Sequence, residues 1–277
     1  MKAFVCTYRR PLPKRRHWNA LRRAADGDPA LRRFLNEYWN SYFDWGDDPA
    51  FFAATHFIGD VRAASWGVCR PEVRARLREG DLVVFFCGRP GLRPAKEYME
   101  TTGVWEYFFI GYATVDELVH DRRRLWQEPR LRPYTRFYNV LCSLVGDQLR
   151  HHETFDPPHN EKQINTPYVI FDRNLSRLEV SQPLRVATWT ADTSRQEVWE
   201  PGVAAQRLAH LLFGATDELR GSRLRTARSG FAHRHLRLLD PGEARGRYPM
   251  KMTVPELRAE IDAILQRLEG AAYNPQP

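Results

Sequence analysis

Short apolar runs punctuate this chain. Leu82 to Phe86 is unbroken, rich in strand formers and too short for a helix, and Tyr107 to Val115 repeats the pattern, so both predict buried strands. Lys2 to Thr7, apolar at Ala3, Phe4 and Val5, suits a first strand, and Tyr168 to Asp172 and Pro183 to Thr190 suit two later ones. Helical spacing appears elsewhere. His17 to Ala25 and Pro29 to about Phe43 read as two helices split by Asp26-Gly27-Asp28, the second with an aromatic stripe of Phe34, Tyr38, Trp39 and Tyr42. Pro201 to Phe213 is a third, stopped by Gly214. The last is marked by a capping box, Thr253 with Glu256, ahead of Leu257, Ile261, Ile264, Leu265 and Leu268, with Gly270 as its stop. The Pro and Gly content of Gly88 to Gly103 predicts a loop, and Asn139 to Leu149 fits neither period. Beyond residue 190 the chain reads as mainly helical.

The chain is organised around Ser65 to Phe86. Pro71 suits the first turn of a helix reaching about Arg78, with Val73 and Leu77 on one face and arginines on the other. Gly80 stops that helix, Asp81 turns the chain, and the strand follows.

That order resembles the PUA-like family of nucleic-acid-binding barrels, in particular the EVE, YTH and nucleotide-modification-associated domains. The residues that carry the resemblance are Trp66-Gly67-Val68, the short Arg-rich helix, Gly80-Asp81 entering a strand that ends in Phe85-Phe86, and Phe109-Ile110-Gly111-Tyr112-Ala113-Thr114-Val115. The resemblance covers about Ala54 to Val115, and more loosely the first strand and Tyr168 to Trp189. The Lys-Ser/Thr-Glu-Pro opening of EVE domains is absent, and Pro71 stands near where they carry an Asn. The resemblance implies an α+β fold, a PUA-like mixed or antiparallel β-barrel with surrounding helices and a helical C-terminal segment. Residues 1–190 would form the barrel domain, with a helical insertion at about 9–48, and 191–277 a mainly helical extension packed on it. Phe4, Val83, Phe85, Ile110 and Val169 are expected in the core or on neighbouring barrel faces.

Charge sharpens this picture. The formal net charge is +8, and the basic residues are nearly all arginine, with lysine only at positions 2, 14, 96, 162 and 251. Such an excess favours a polyanionic partner, because Lys and Arg contacts to phosphates release counterions; coding bias toward arginine would give the same count. The basic exit of the first strand, Arg9, Arg10, Lys14, Arg15 and Arg16, with Arg62 and Arg70 further on, is the expected phosphate-binding set. Cys6, Cys69, Cys87 and Cys142 are dispersed, which argues against a zinc site or disulfide framework. Apolar runs are far too short for a membrane span and no apolar signal segment opens the sequence, so the expectation is a cytoplasmic protein without membrane contact.

In the related domains the loop ending in Gly-Val-Cys lines a ligand pocket. Here that implies Thr55, His56, Phe57, Asp60, Ser65, Trp66 and Gly67, with Trp105 and Asn165 nearby: hydrogen-bonding groups for a base edge and aromatics for stacking on a flipped base. Trp66 as a core plug and His56 as a structural histidine are the plainer alternatives. The Arg122-Arg123-Arg124 run reads as solvated surface, and the His151 to His159 stretch as a Pro-rich loop rather than a metal site. The reading is a nucleic-acid binder, DNA or RNA, holding a modified base without cofactor, metal or catalytic residues. Its relatives imply partner proteins of DNA modification, restriction or phage defence. An enzyme using His56 with Asp60 as an acid/base pair is the first alternative, although none of the common catalytic motifs occurs. A protein interaction module is the second.

Overall fold

The computed structural model of this chain describes residues 1–9, 64–94, 99–136, 138–151, 157–178, 184–190, 197–199, 203–213, 236–239 and 252–272. The first elements are β1 (Ala3–Arg9), β2 (Ser65–Trp66), α1 (Pro71–Arg74), β3 (Leu82–Pro94), β4 (Met99–Val119) and α2 (Arg124–Gln127). Then come β5 (Cys142–Val145), β6 (Gln148–His151), α3 (Pro157–Ile164), β7 (Tyr168–Phe171) and β8 (Arg177–Leu178). The last are β9 (Leu184–Thr190), β10 (Glu197–Trp199), α4 (Val203–Phe213), β11 (Leu236–Leu239) and α5 (Val254–Ala272). The fold is mixed α+β, with more strand than helix among the described residues. No described helix is long and apolar enough to cross a membrane.

Two compact units are present, and neither ends at residue 190. The first takes the described residues of 1–42, 82–112 and 181–277, the second those of 43–81 and 113–180. The C-terminal segment falls in the first unit because it supplies strands as well as helices. β11 pairs antiparallel with β1, from Ala3 opposite Leu239 to Cys6 opposite Leu236, and β10 pairs with β9.

In the first unit the strand order is β10-β9-β4-β3-β1-β11, with β10 and β11 at its two ends. β1 lies parallel to β3, Ala3 opposite Leu82. Leu82 to Cys87 are all 0% exposed, so β3 is covered on both faces, as an unbroken apolar run requires. Its alternate residues Leu82, Val84 and Phe86 join Ala3, Val5, Tyr107 and Phe109 in one core with Leu208 and Leu212 of α4 and Leu257, Ile261, Ile264 and Leu265 of α5. Phe4, Val83, Phe85 and Ile110 are buried as expected. The capping box holds: the Thr253 N–H donates to Glu256 Oε2 at 2.6 Å, and the Glu256 N–H reaches back to Thr253 Oγ1 at 3.4 Å. Gly270 does not stop α5, which runs on to Ala272.

The expected loop over Gly88 to Gly103 is instead mostly strand. β3 runs on to Pro94 and β4 begins at Met99. Glycine is needed there for close approach: a Cβ on Gly88 would lie 2.7 Å from Trp105 Nε1, and one on Gly91 2.5 Å from Thr102 Oγ1. That Thr102 hydroxyl donates to the Gly91 carbonyl, tying β4 to β3 where proline leaves no donor.

In the second unit, β7 pairs antiparallel with β2 and with residues 115–119 of β4. Val169 is buried there as expected. The β4 ladder shifts register between Val115 and Glu117, leaving Asp116 as an exposed bulge residue. The Gly80-Asp81 turn forms as expected. Gly80, at φ 83°, donates its N–H to the Val115 carbonyl at 2.8 Å, and the Val115 N–H returns to the Asp81 carbonyl at 2.8 Å. Asp81 Oδ2 accepts the Arg78 N–H. The helix before this turn is shorter than its pattern suggested and ends at Arg74. The ambiguous stretch after Asn139 becomes the β5–β6 hairpin, and Pro157 opens a helix where a loop was expected. The two helices expected at 17–25 and 29–43 lie outside the described residues.

Candidate nucleic-acid interface

Two buried guanidiniums build the frame of the second unit. Arg74 is 0% exposed. Its head donates to the carbonyls of Val68 and Cys69 on one side, and to those of Gln163, Thr166 and Pro167, with Gln163 Oε1, on the other. Arg122 is 1% exposed and donates to the carbonyls of Gly67, Asn139, Val140 and Gln163, with its guanidinium 5.4 Å from the Tyr168 ring centroid. Both therefore converge on the C-terminal end of α3. The carbonyls there carry the negative end of the helix dipole, which is why cations can be buried at that spot. The residue run 122–124, expected to be solvated, thus splits by role. Arg122 is core, while Arg123 pairs with Asp121 and Arg124 with Glu117 and Glu128 at the surface.

A polar triad completes the frame. The Tyr168 hydroxyl lies 2.7 Å from Ser65 Oγ and 3.0 Å from Asn139 Oδ1, and Asn139 Nδ2 donates to the Ser65 carbonyl. Gly67 sits against it so closely that a Cβ would lie 2.1 Å from the Asn139 carbonyl oxygen and 2.7 Å from the Tyr168 ring. Segment 65–69 is consequently held from three directions, by β7, by the triad and by both arginines. Burial pushes the neighbouring Cys142 thiol up to about 11, against the pull of the Arg122 charge.

At the surface two charge patterns differ. Around Glu117 the cations are neutralised: hydrogen bonds from Arg130, with the charges of Arg130 and Arg124, outweigh burial, which pulls the other way, and leave its carboxyl below the ordinary range, with Glu128 joining the network. Next to it, the Asp116 carboxyl is raised although the residue is exposed, first by the partial desolvation its neighbours impose and then by the charges of Asp172, Glu117 and Glu79. By contrast, Arg76, Arg78, Arg150, Lys162 and Arg173 are exposed and pair with no acid among the described residues. Glu72, Glu79 and Glu161 stand close to some of them in sequence, so the chain-wide charge rather than one dense patch sets the field.

The expected pocket residues fall in different places. Ser65, Trp66 and Gly67 come together in the second unit but are buried, Trp66 at 0% exposure, so in this conformation its ring is a core side chain and offers no face for stacking. Asn165 is exposed in the turn after α3, its N–H on the Glu161 carbonyl. Trp105 packs against the core of the first unit instead. Among the expected phosphate contacts, Arg70 is half-buried at the left-handed N-cap of α1, φ 54°. Arg9 closes β1. Thr55, His56, Phe57, Asp60, Arg62, Arg10, Lys14, Arg15 and Arg16 lie outside the described residues. Sequence reasoning missed Arg74, Arg122, Asn139 and Tyr168 as the frame. Only Asn139 left a signal, a polar residue just before the apolar stretch Val140-Leu141-Cys142. No group of His, Cys, Asp or Glu among the described residues is placed to hold a metal. No known protein family, curated protein or solved structure matches this chain.

Proposed function

We propose that this chain binds nucleic acid and holds a single base, a modified one, at the mouth of a PUA-like barrel. The observation that carries the reading is the +8 charge together with exposed cations of the second unit, Arg76, Arg78, Arg150, Lys162 and Arg173 among them, that no described acid neutralises. Phosphate contacts would give affinity, and the loop leading to the pinned 65–69 segment would give discrimination. A rigid frame suits that task, because a pocket distinguishes bases by groups that do not relax to fit the wrong one. Closure of the strands into a barrel, the pocket residues from Thr55 to Asp60, a cytoplasmic location and a link to DNA modification or phage defence belong to the same proposal.

The test is co-purification. Nucleic acid extracted from the protein made in cells, digested to nucleosides and analysed by mass spectrometry, is expected to be enriched in one modified nucleoside. Oligonucleotide affinity should also fall steeply with salt. Absence of salt-sensitive binding would favour an interaction module, and turnover of the oligonucleotide lost in His56→Ala would favour an enzyme.

A further inference from the structure

The β5–β6 hairpin has a division of faces that the proposed pocket leaves unexplained. It stands as its own two-stranded sheet, joined by the Gly146-Asp147 turn with Gly146 at φ 61°. One face is anchored: Cys142 is buried and Leu149 packs on the core of the second unit. On the other face Ser143 lies opposite Arg150 and Val145 opposite Gln148, and all four are exposed. Val145 is 47% exposed, one of few large apolar side chains so placed among the described residues. Neither strand puts an acid on that face, Asp147 lying in the turn that joins them, and Arg150 pairs with no acid among the described residues.

We infer that this hairpin enters the major groove of B-form DNA and reads base edges there. The inference rests on the nucleic-acid-binding reading above and names its partner as duplex DNA. A two-stranded ribbon fits a groove about 12 Å wide, and the four side chains match its chemistry. Arg150 suits the paired acceptors of guanine, Gln148 the acceptor and donor of adenine, Ser143 either purine, and Val145 the thymine methyl. The fit also answers a need. A base drawn out of a duplex leaves the remaining helix to be gripped and registered from outside the pocket. Double-stranded RNA would be refused, because its major groove is too deep and narrow for side chains to read.

The experiment selects preferred sequences from a 20-base-pair DNA duplex library with a randomised centre. Anisotropy then compares the selected duplex, a shuffled one and the matching RNA duplex, with wild type and the exposed-site variants Arg150→Ala and Gln148→Ala. Circular dichroism checks that each variant folds. The expected result is that wild type prefers the selected DNA over both others. Each variant should lose about tenfold on the selected duplex while changing little on the shuffled one. Equal weakening on every sequence, with a salt slope reduced by about one, would make Arg150 a phosphate contact and overturn base reading. Unchanged binding by both variants, or equal affinity for the RNA duplex, would overturn it as well, while leaving the nucleic-acid reading intact. If wild type binds no nucleic acid under any condition, that reading fails and this one with it.

Discussion

Replacing Arg74 with Met removes a buried cation while keeping much of its volume. Six acceptors lose their donor: five carbonyls, of Val68, Cys69, Gln163, Thr166 and Pro167, and the Gln163 side-chain oxygen. At about 1–3 kcal/mol for each acceptor left dry, full orphaning would exceed the roughly 5–15 kcal/mol that holds a domain together. The structure will not pay that in full, because Gln163 O also receives Arg122 and water can reach acceptors as the site relaxes. Breaking a buried charge network usually destabilises by about 3–5 kcal/mol, and we adopt that range. With a urea slope of about 2 kcal/mol per molar, the midpoint should fall by about 1.5–2.5 M. Arg74→Lys keeps the charge but brings three donors to six acceptors, so an intermediate loss of about 2–4 kcal/mol is expected. Arg123→Ala, which breaks only the exposed pair with Asp121, should leave the midpoint unchanged. Tryptophan fluorescence and circular dichroism should be followed together, since two units need not unfold in one step. A Met variant melting within about 0.3 M of wild type, a shift of well under 1 kcal/mol, would refute the view that Arg74 holds the 65–69 segment to α3.

Asp116→Asn should raise the melting temperature at pH 7. The raised carboxyl means its charge is disfavoured in the folded state, so the gain should fade as pH falls through that raised value and the wild-type group takes up its proton. Glu117 acts with the opposite sign. Its lowered carboxyl contributes stability above the ordinary glutamate range and loses it as pH falls, so the Glu117→Gln penalty, read by the same melts, should be present at pH 7 and shrink below about pH 4. Gly67→Ala forces a methyl against the Asn139 carbonyl and Tyr168, and soluble yield and melting temperature should drop sharply, whereas equal stability would show that the 65–69 segment can shift. Thr253→Ala should cost about 1 kcal/mol by urea titration through loss of the α5 cap, and an unchanged midpoint would show that core packing alone holds that helix end.

What could be read in advance was local. Leu82 to Phe86, the Gly80-Asp81 turn and the Thr253-Glu256 box declare themselves within a few residues, because strand burial, a left-handed glycine and a cap each depend on near neighbours. Arg74 and Arg122 could not be read that way. An arginine in a basic run looks solvated until the end of a distant helix, some 90 residues from Arg74 and 41 from Arg122, supplies its acceptors. Trp66 and Ser65 stand out in the sequence as a pocket wall yet are core, since sequence does not say which side of a segment faces inward. The strand through Gly88, Pro90 and Gly91 was hidden for a related reason: breakers argue for a loop until a neighbouring strand needs the close approach that glycine allows.

The partnership of β1 with β11 dictates an order of events during synthesis. Ala3 pairs with Leu239, which is made more than 230 positions later. The second unit draws only on 43–81 and 113–180, so its frame can assemble while the first unit still lacks β9, β10, β11 and both core helices. At ribosomal speeds of about 5–20 residues per second, residue 239 emerges roughly 3–12 s after residue 180. Through that interval one side of β1 remains an open strand edge on the nascent chain, the kind of surface that chaperones cover and that pairs wrongly when left exposed.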